Sequence, residues 1–252
     1  MAPTIFIVPG IYEGTEAFEP LVKALKNLGH DKTVVSGLRS TGTSSKPGPG
    51  IKARDDVESI AKDMARAVED AGDDGVVGLF HSAGGWIGSA ATKGLTAQER
   101  KAAGQTGGVK KILFLASALF GGGNSNSSGS DTNSKGPILM PFMEKNEEKG
   151  IQSCKTPEHF LFHDLPPQEA ASWTAKIKHQ PLYYFDDYTP HQGWEGVPNV
   201  WFITEKDRML PVPVQVKCAE KAQGKQVRLD VGHVPMLSMT DEFAKLVLEN
   251  IN

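Results

Sequence analysis

The chain has 252 residues, a formal net charge of −3, 39% hydrophobic residues and 23% charged residues. These proportions are typical of a globular protein and exclude a disordered chain. No cluster of Lys or Arg forms a basic face, so we expect neither nucleic acid nor a membrane surface as a partner. No window is apolar enough to span a bilayer, and the first residues lack the pattern of a secretory signal.

The chain has two cysteines, Cys154 and Cys218. Their spacing does not show whether they pair. Two cysteines are too few for a disulfide framework in a chain of this length, which favours a reducing compartment. We therefore expect a cytoplasmic protein.

Short β-branched runs alternate with helical patterns along most of the chain. In chain order, the predicted elements are strand 4–8, helix 17–28, strand 32–35, helix 55–71, strand 75–80, helix 83–93, strand 111–116, strand 199–204, helix 212–222, strand 226–231 and helix 240–251. Strands that alternate with helices predict an α/β fold, in which a mostly parallel sheet of about six strands is covered by helices on both faces.

The alternation is interrupted between the fourth and fifth strands. Residues 121–136 are a low-complexity stretch of Gly, Ser and Asn, and helical and aromatic segments continue from there to about residue 192. We interpret this interruption as an inserted helical lid above the strand ends. The predicted organisation is a core of residues 1–117 and 193–252, with a lid of residues 118–192.

Three chemically active residues follow three of the predicted strands. Ser82 follows the third strand, Asp207 follows strand 199–204 and His233 follows the last strand. Because the carboxyl ends of parallel strands meet at one edge of a sheet, we expect the three side chains to lie together. The order Ser, Asp, His along the chain is that of a known hydrolytic triad.

Each member of this set has a chemical task. A serine hydroxyl is a weak nucleophile and needs an adjacent base, which His233 would supply. Asp207 would orient the imidazole and stabilise its charged form. The backbone amides of Ile11 and Ala83 are the candidate oxyanion hole, since one follows the first strand and the other opens a helix.

Four sequence segments, VPGIYEG, LFHSAGG, ITEKDRMLP and GHVPML, resemble the α/β-hydrolase superfamily. The likeness is to the small branch that includes plant methylesterases and hydroxynitrile lyases. It implies an α/β-hydrolase fold and assigns the nucleophile, acid, base and oxyanion loop to Ser82, Asp207, His233 and Ile11. Hydroxynitrile lyases of this branch carry Lys after the catalytic His and Thr in the oxyanion loop. This chain has Val234 and Ile11, which favours hydrolysis.

One position departs from the family pattern. The turn that carries the nucleophile usually opens with Gly, and here that place is Phe80. A side chain of this size needs room beside the next helix, and we expect it to lie over Gly78 and Gly84.

Other interpretations of single residues remain open. Ser82 could be only a helix N-cap, and Glu205 is a rival for the acid. His81 is interpreted as structural. His159 and His163 have metal-ligand spacing, but no third ligand is apparent, so no metal site is expected. The candidates for substrate binding are Tyr12, Glu13, Trp173 and Tyr183.

These patterns predict a serine hydrolase, of the carboxylesterase or lactonase type, that acts on a small apolar or aromatic ester without a cofactor. A lyase, a carbon–carbon bond hydrolase or a cyclising enzyme could use the same triad, because one fold hosts many reactions. A non-catalytic ligand receptor is the third alternative.

Overall fold

The structure is a computed structural model that describes residues 2–44, 50–119, 140–182, 184 and 190–251. The strands in this part of the chain are β1 (Thr4–Val8), β2 (Thr33–Val35), β3 (Val76–His81), β4 (Val109–Leu115), β5 (Met143–Asn146), β6 (Ile151–Cys154), β7 (Gln180–Pro181), β8 (Asn199–Thr204) and β9 (Lys225–Leu229). The α-helices are α1 (Glu19–Asn27), α2 (Ala53–Ala71), α3 (Gly84–Ala91), α4 (Ala97–Ala102), α5 (Pro157–Phe160), α6 (Pro167–Thr174), α7 (Val212–Lys221), α8 (Pro235–Ser238) and α9 (Thr240–Asn250).

Six strands form the main sheet in the order β2-β1-β3-β4-β8-β9. Every neighbouring pair in this sheet is parallel. All residues of β3 and nearly all of β1 are buried, as expected for central parallel strands with apolar side chains on both faces. The prediction of a mostly parallel sheet of about six strands is confirmed.

Helices cover the sheet in two layers. The chain moves from β1 to β2 in one direction and from β2 to β3 in the other, so right-handed crossovers place α1 and α2 on opposite faces. Accordingly, α1 packs against α9, whereas α2 packs against α3. Among the described residues, no helix combines the length and apolar character needed to cross a membrane.

The described part of the insertion differs from the predicted helical segments. It contains the two short helices α5 and α6, but also a three-stranded antiparallel sheet, β5-β6-β7. Most of β5 is exposed and lacks an apolar alternation, so no local pattern marks it as a strand. Its pairing is defined by a tight turn that ends at Gly150, which has a φ of 67°. The low-complexity stretch 121–136 lies outside the described residues.

The large side chain of Phe80 packs against two glycines. The ring is fully buried, and a Cβ at Gly78 or at Gly88 would collide with its atoms. The predicted contact of Phe80 with Gly78 is confirmed, but the predicted contact with Gly84 is wrong. A Cβ at Gly84 would instead meet the carbonyl groups of Val8 and Pro9. Gly88 lies one turn further along α3, where the helix passes over the ring.

We expect Phe80→Ala to lower the free energy of unfolding by about 3–5 kcal/mol, the usual cost of a phenylalanine-sized cavity. Gly78→Ala should be destabilising in the wild-type background, because its Cβ meets the Phe80 ring. In the Phe80→Ala background the same methyl group enters vacated space, so the two costs should not add. Urea unfolding of the single and double variants measures this coupling.

The matched control is Phe243→Ala, which removes another fully buried phenylalanine. Gly78→Ala should cost the same in that background as in the wild type. An equal cost of Gly78→Ala in all three backgrounds would contradict the contact with Phe80.

Candidate active site

Ser82 occupies the sharp turn between β3 and α3. Its φ is 52°, in the left-handed region that non-glycine residues rarely adopt, at a cost of about 1–3 kcal/mol. Three hydrogen bonds hold the turn: the Ser82 amide donates to Leu115 O (2.9 Å), and Ser82 O accepts from Ser117 Oγ (2.8 Å) and Gly85 N (3.0 Å). The Ser82 residue is half-buried, so its hydroxyl can meet a ligand.

His233 and Asp207 form a buried pair at the same edge of the sheet. His233 Nδ1 is 2.7 Å from Asp207 Oδ2, and the two side chains are 1% and 0% exposed. Asp207 Oδ1 accepts hydrogen bonds from the amides of Met209 and Leu210, both at 2.8 Å. Thr204 Oγ1 donates to Asp207 Oδ2, also at 2.8 Å. The carboxylate is therefore fixed from its own loop as well as by His233.

These contacts set the charge of Asp207. Burial alone would raise the pKa of its carboxyl, but the attraction of His233 and the hydrogen bonds outweigh burial and lower that pKa. An ionised Asp207 holds a proton on His233 Nδ1, which leaves Nε2 as the acceptor. The rival acid Glu205 instead pairs with Arg228 at the surface, with 2.6 Å between Oε1 and Nη1.

The nucleophile turn and the His233 loop are joined through His81. His81 Nε2 lies 2.9 Å from His233 O, and the two rings are 4.8 Å apart between centroids. No hydrogen bond joins the Ser82 hydroxyl directly to His233 among the described residues. Such bonds are often long without substrate and tighten when it binds.

The loop after β1 approaches Ser82 at Gly10. A Cβ at Gly10 would lie 2.9 Å from Ser82 Cβ, so only glycine fits without displacing the loop. The next amide, that of Ile11, and the amide of Ala83 beside Ser82 donate to no other described residue. Both predicted oxyanion-hole donors thus have no other partner among the described residues.

Glu13 and His81 form a second buried carboxylate–imidazole pair. Glu13 Oε2 is 2.9 Å from His81 Nδ1, with side-chain exposures of 4% and 0%, and it also accepts from Gly10 N at 3.2 Å. Burial alone would raise the pKa of Glu13 and lower that of His81. Their mutual attraction outweighs burial, so the pKa of Glu13 is lowered and that of His81 is raised.

Two of the predicted substrate-binding residues, Tyr12 and Glu13, line a crevice together with Trp173 and also make contacts within the protein. Glu13 uses its carboxylate on His81 and Gly10. Tyr12 is fully buried, and its hydroxyl donates to Gln152 Oε1 at 3.2 Å. Both residues therefore hold the oxyanion loop from the protein side.

Trp173 is half-buried and lines a narrow crevice beside this loop together with Phe162 and Leu237. Lys176 lies over the Trp173 ring, with Nζ 3.9 Å from the ring centroid. This position is compatible with the substrate contact predicted for Trp173. Tyr183, the fourth candidate, lies outside the described residues.

The histidine pair in the insertion, His159 and His163, lies next to Arg208. Arg208 Nη1 donates to His159 Nδ1 at 3.2 Å, so that ring nitrogen is occupied and a cation stands beside it. Burial and then the Arg208 charge lower the pKa of His163. No group of three metal-binding side chains occurs in the described part of the chain.

Cys154 and Cys218 are both free and buried, so they do not pair.

Comparison with known proteins identifies the family. A model of the alpha/beta hydrolase family matches residues 5–246. The chain belongs to the alpha/beta hydrolase family. The protein named "Alpha/beta hydrolase nvfD", from Aspergillus novofumigatus, is 27% identical over 252 residues, which are 98% of this chain and 96% of the relative.

Solved structures of other alpha/beta hydrolases share the fold. A pyrethroid hydrolase from Sphingobium faniae JZ-2 has a TM-score of 0.68 at 17% identity. The superposition covers 100% of this chain and 98% of the pyrethroid hydrolase chain. The methylesterase protein MES16 from Arabidopsis has a TM-score of 0.69 at 15% identity and covers 98% of both chains. At these identities the likeness concerns the fold alone. The predicted fold and the predicted resemblance to plant methylesterases are confirmed, and the family and its named members support a hydrolase.

The raised pKa of His81 predicts how stability depends on pH. Protonated His81 stabilises the folded hydrolase fully below its ordinary pKa of 6.5. That contribution is lost as the pH rises through the folded-state pKa. Relative to His81→Gln, the wild type should therefore lose stability above pH 6.5, by at most about 1.4 kcal/mol per pH unit for one proton.

Urea unfolding of both proteins between pH 6 and pH 9 checks this expectation. The difference between them cancels the titration of shared groups other than Glu13, whose partner the substitution removes. A stability difference that stays constant over this range would mean that folding does not raise the pKa of His81.

Proposed function

We propose that this alpha/beta hydrolase is a serine hydrolase of the carboxylesterase or lactonase type, with Ser82 as its nucleophile. The observation that carries the proposal is the 2.7 Å contact between His233 and Asp207 at the sheet edge where Ser82 projects from a left-handed turn. A strained serine at the same sheet edge as an oriented imidazole, next to a loop with an available amide, is suited to acyl transfer.

The reaction begins when Ser82 Oγ attacks the carbonyl carbon of the ester and His233 Nε2 accepts the hydroxyl proton. The amides of Ile11 and Ala83 donate to the carbonyl oxygen as it becomes negative. The bond to the alcohol then breaks, and His233 returns the proton to the departing oxygen. Water attacks the acyl-enzyme with His233 as base, which releases the acid and regenerates Ser82.

The substrate class is a small apolar or aromatic ester. The crevice beside the proposed oxyanion loop supports this proposal through its apolar side chains, among them Phe162, Trp173 and Leu237. Charged side chains, those of Glu16 and Lys176 among them, also line it. His233 carries every proton transfer in this mechanism, and the two amides donate only hydrogen bonds, so the proposed reaction involves no cofactor. The two free, buried cysteines fit a reducing compartment and support the cytoplasmic location that we propose.

A fluorophosphonate probe should label Ser82, because such probes need an activated serine and an oxyanion hole. Mass spectrometry of the digested protein locates the adduct. Ser82→Ala should abolish labelling, whereas Ser153→Ala, which removes a serine from β6 in the insertion, should leave it unchanged. A folded wild type that does not label would contradict the proposed function.

Gly10→Ala tests the oxyanion loop separately from the triad. The added Cβ would push the loop away from Ser82, since the two Cβ atoms would be 2.9 Å apart. Loss of one oxyanion donor lowers kcat by about 100- to 1,000-fold in serine hydrolases, and we expect an effect of this order. The measurement is the hydrolysis of p-nitrophenyl acetate, with circular dichroism as the check of folding. A folded Gly10→Ala protein with wild-type kcat would show that the loop does not take part.

A further inference from the structure

We propose that Glu13 and His81 are a positioning pair, which holds the oxyanion loop and the backbone of His233 in fixed relation to Ser82. This inference rests on the proposed function. It assigns a task to two buried groups that are 68 positions apart in the chain and that the reaction itself does not use.

Glu13 closes the oxyanion loop upon itself. Its Oε2 accepts from Gly10 N at 3.2 Å, so the carboxylate spans the two residues between them. One of those residues is Ile11, whose amide is the proposed oxyanion donor. Because Gly10 also lies against Ser82, a carboxylate that holds Gly10 sets the distance between the Ile11 amide and the reacting oxygen.

His81 connects this loop to the catalytic base. It directly precedes Ser82, and its Nε2 lies 2.9 Å from His233 O. A carbonyl oxygen can only accept a hydrogen bond, so His81 Nε2 carries a proton. The imidazole therefore spans the gap between the Glu13 carboxylate on one side and the His233 backbone on the other.

The other nitrogen of His81 is also protonated. Glu13 Oε2 faces two nitrogens, Gly10 N and His81 Nδ1, and an ionised carboxylate can accept from both. With protons on both nitrogens, His81 cannot accept the proton of Ser82. This assignment leaves His233 as the only base among the two histidines whose rings lie 4.8 Å apart.

The pair also differs from a simple stabilising contact. Removing two charges from water is costly, and a buried ion pair often contributes little to stability compared with apolar side chains of the same size. This pair instead lies between the loop after β1 and the His233 loop, whose relative positions the reaction depends on. It is therefore suited to orienting these two loops. We therefore expect its loss to affect the rate of reaction more than the binding of substrate.

Glu13→Gln tests the inference, because it removes the charge and preserves the size of the side chain. We expect kcat for p-nitrophenyl acetate and the rate of fluorophosphonate labelling to fall by about 10- to 100-fold, less than for the loss of a complete oxyanion donor. KM should stay within about twofold, since an interaction that acts on the transition state changes kcat. The control is Glu19→Gln, which removes an exposed carboxylate from the start of α1 and should leave both rates unchanged.

A second measurement does not depend on activity. In ¹⁵N-histidine NMR spectra recorded over a pH series, both ring nitrogens of His81 should keep the shifts of an imidazolium to a pH above the ordinary pKa of 6.5 in the wild type. In Glu13→Gln the ring should become neutral at a lower pH than in the wild type. A His81 ring that is already neutral below pH 6.5 in the wild type would overturn the pair, even if the variant did not fold.

The outcomes separate this inference from the proposed function. A wild type without labelling at Ser82 overturns the proposed function and the positioning role together. Labelling at Ser82 in the wild type, with unchanged rates in a folded Glu13→Gln protein, overturns the positioning role alone. A lower stability of Glu13→Gln with wild-type kcat would identify the pair as structural and would also overturn the inference.

Discussion

The site depends on the close approach of two backbone segments at Ser82. The turn there is held in a left-handed conformation by hydrogen bonds to Leu115 and Ser117 on the neighbouring strand segment. The loop after β1 reaches this turn only because Gly10 has no Cβ. Strain of about 1–3 kcal/mol at Ser82 persists because the surrounding sheet determines the position of both segments. A displacement of either segment would separate the nucleophile from the amides that face the carbonyl oxygen.

Two buried carboxylate–imidazole pairs lie next to each other at this point, yet they have different chemistry. Asp207 holds His233 through Nδ1 and leaves Nε2 available. Glu13 and the His233 carbonyl occupy both nitrogens of His81. The difference follows from the number of partners around each ring, since each pair joins a carboxylate to an imidazole. We propose that His233 therefore exchanges a proton with the substrate, whereas His81 holds its neighbours.

The insertion also contributes to the site from outside the sheet. Tyr12 follows Ile11, the proposed oxyanion donor, and has a φ of 71°. Its hydroxyl donates to Gln152 of β6, and its carbonyl accepts from the Lys178 amide at 3.0 Å. The described part of the insertion thus anchors the oxyanion loop as well as lying beside it. Its small antiparallel sheet gives these anchors a fixed position, which an isolated pair of short helices would not provide.

The sequence by itself determined the main sheet and the order of the triad residues, because apolar runs, turn residues and helix periods are local signals. Helix α4 also has a local signal, because Thr96 accepts a hydrogen bond from the Glu99 amide in a capping box. It is nevertheless absent from the predicted elements. Only the tertiary structure decided the partners of Glu13 and His81 and the packing of the Phe80 ring against Gly88. The same holds for the pairing of β5 with β6. These features join residues with no local pattern in common, and they exist only once the strand ends and the insertion are packed together.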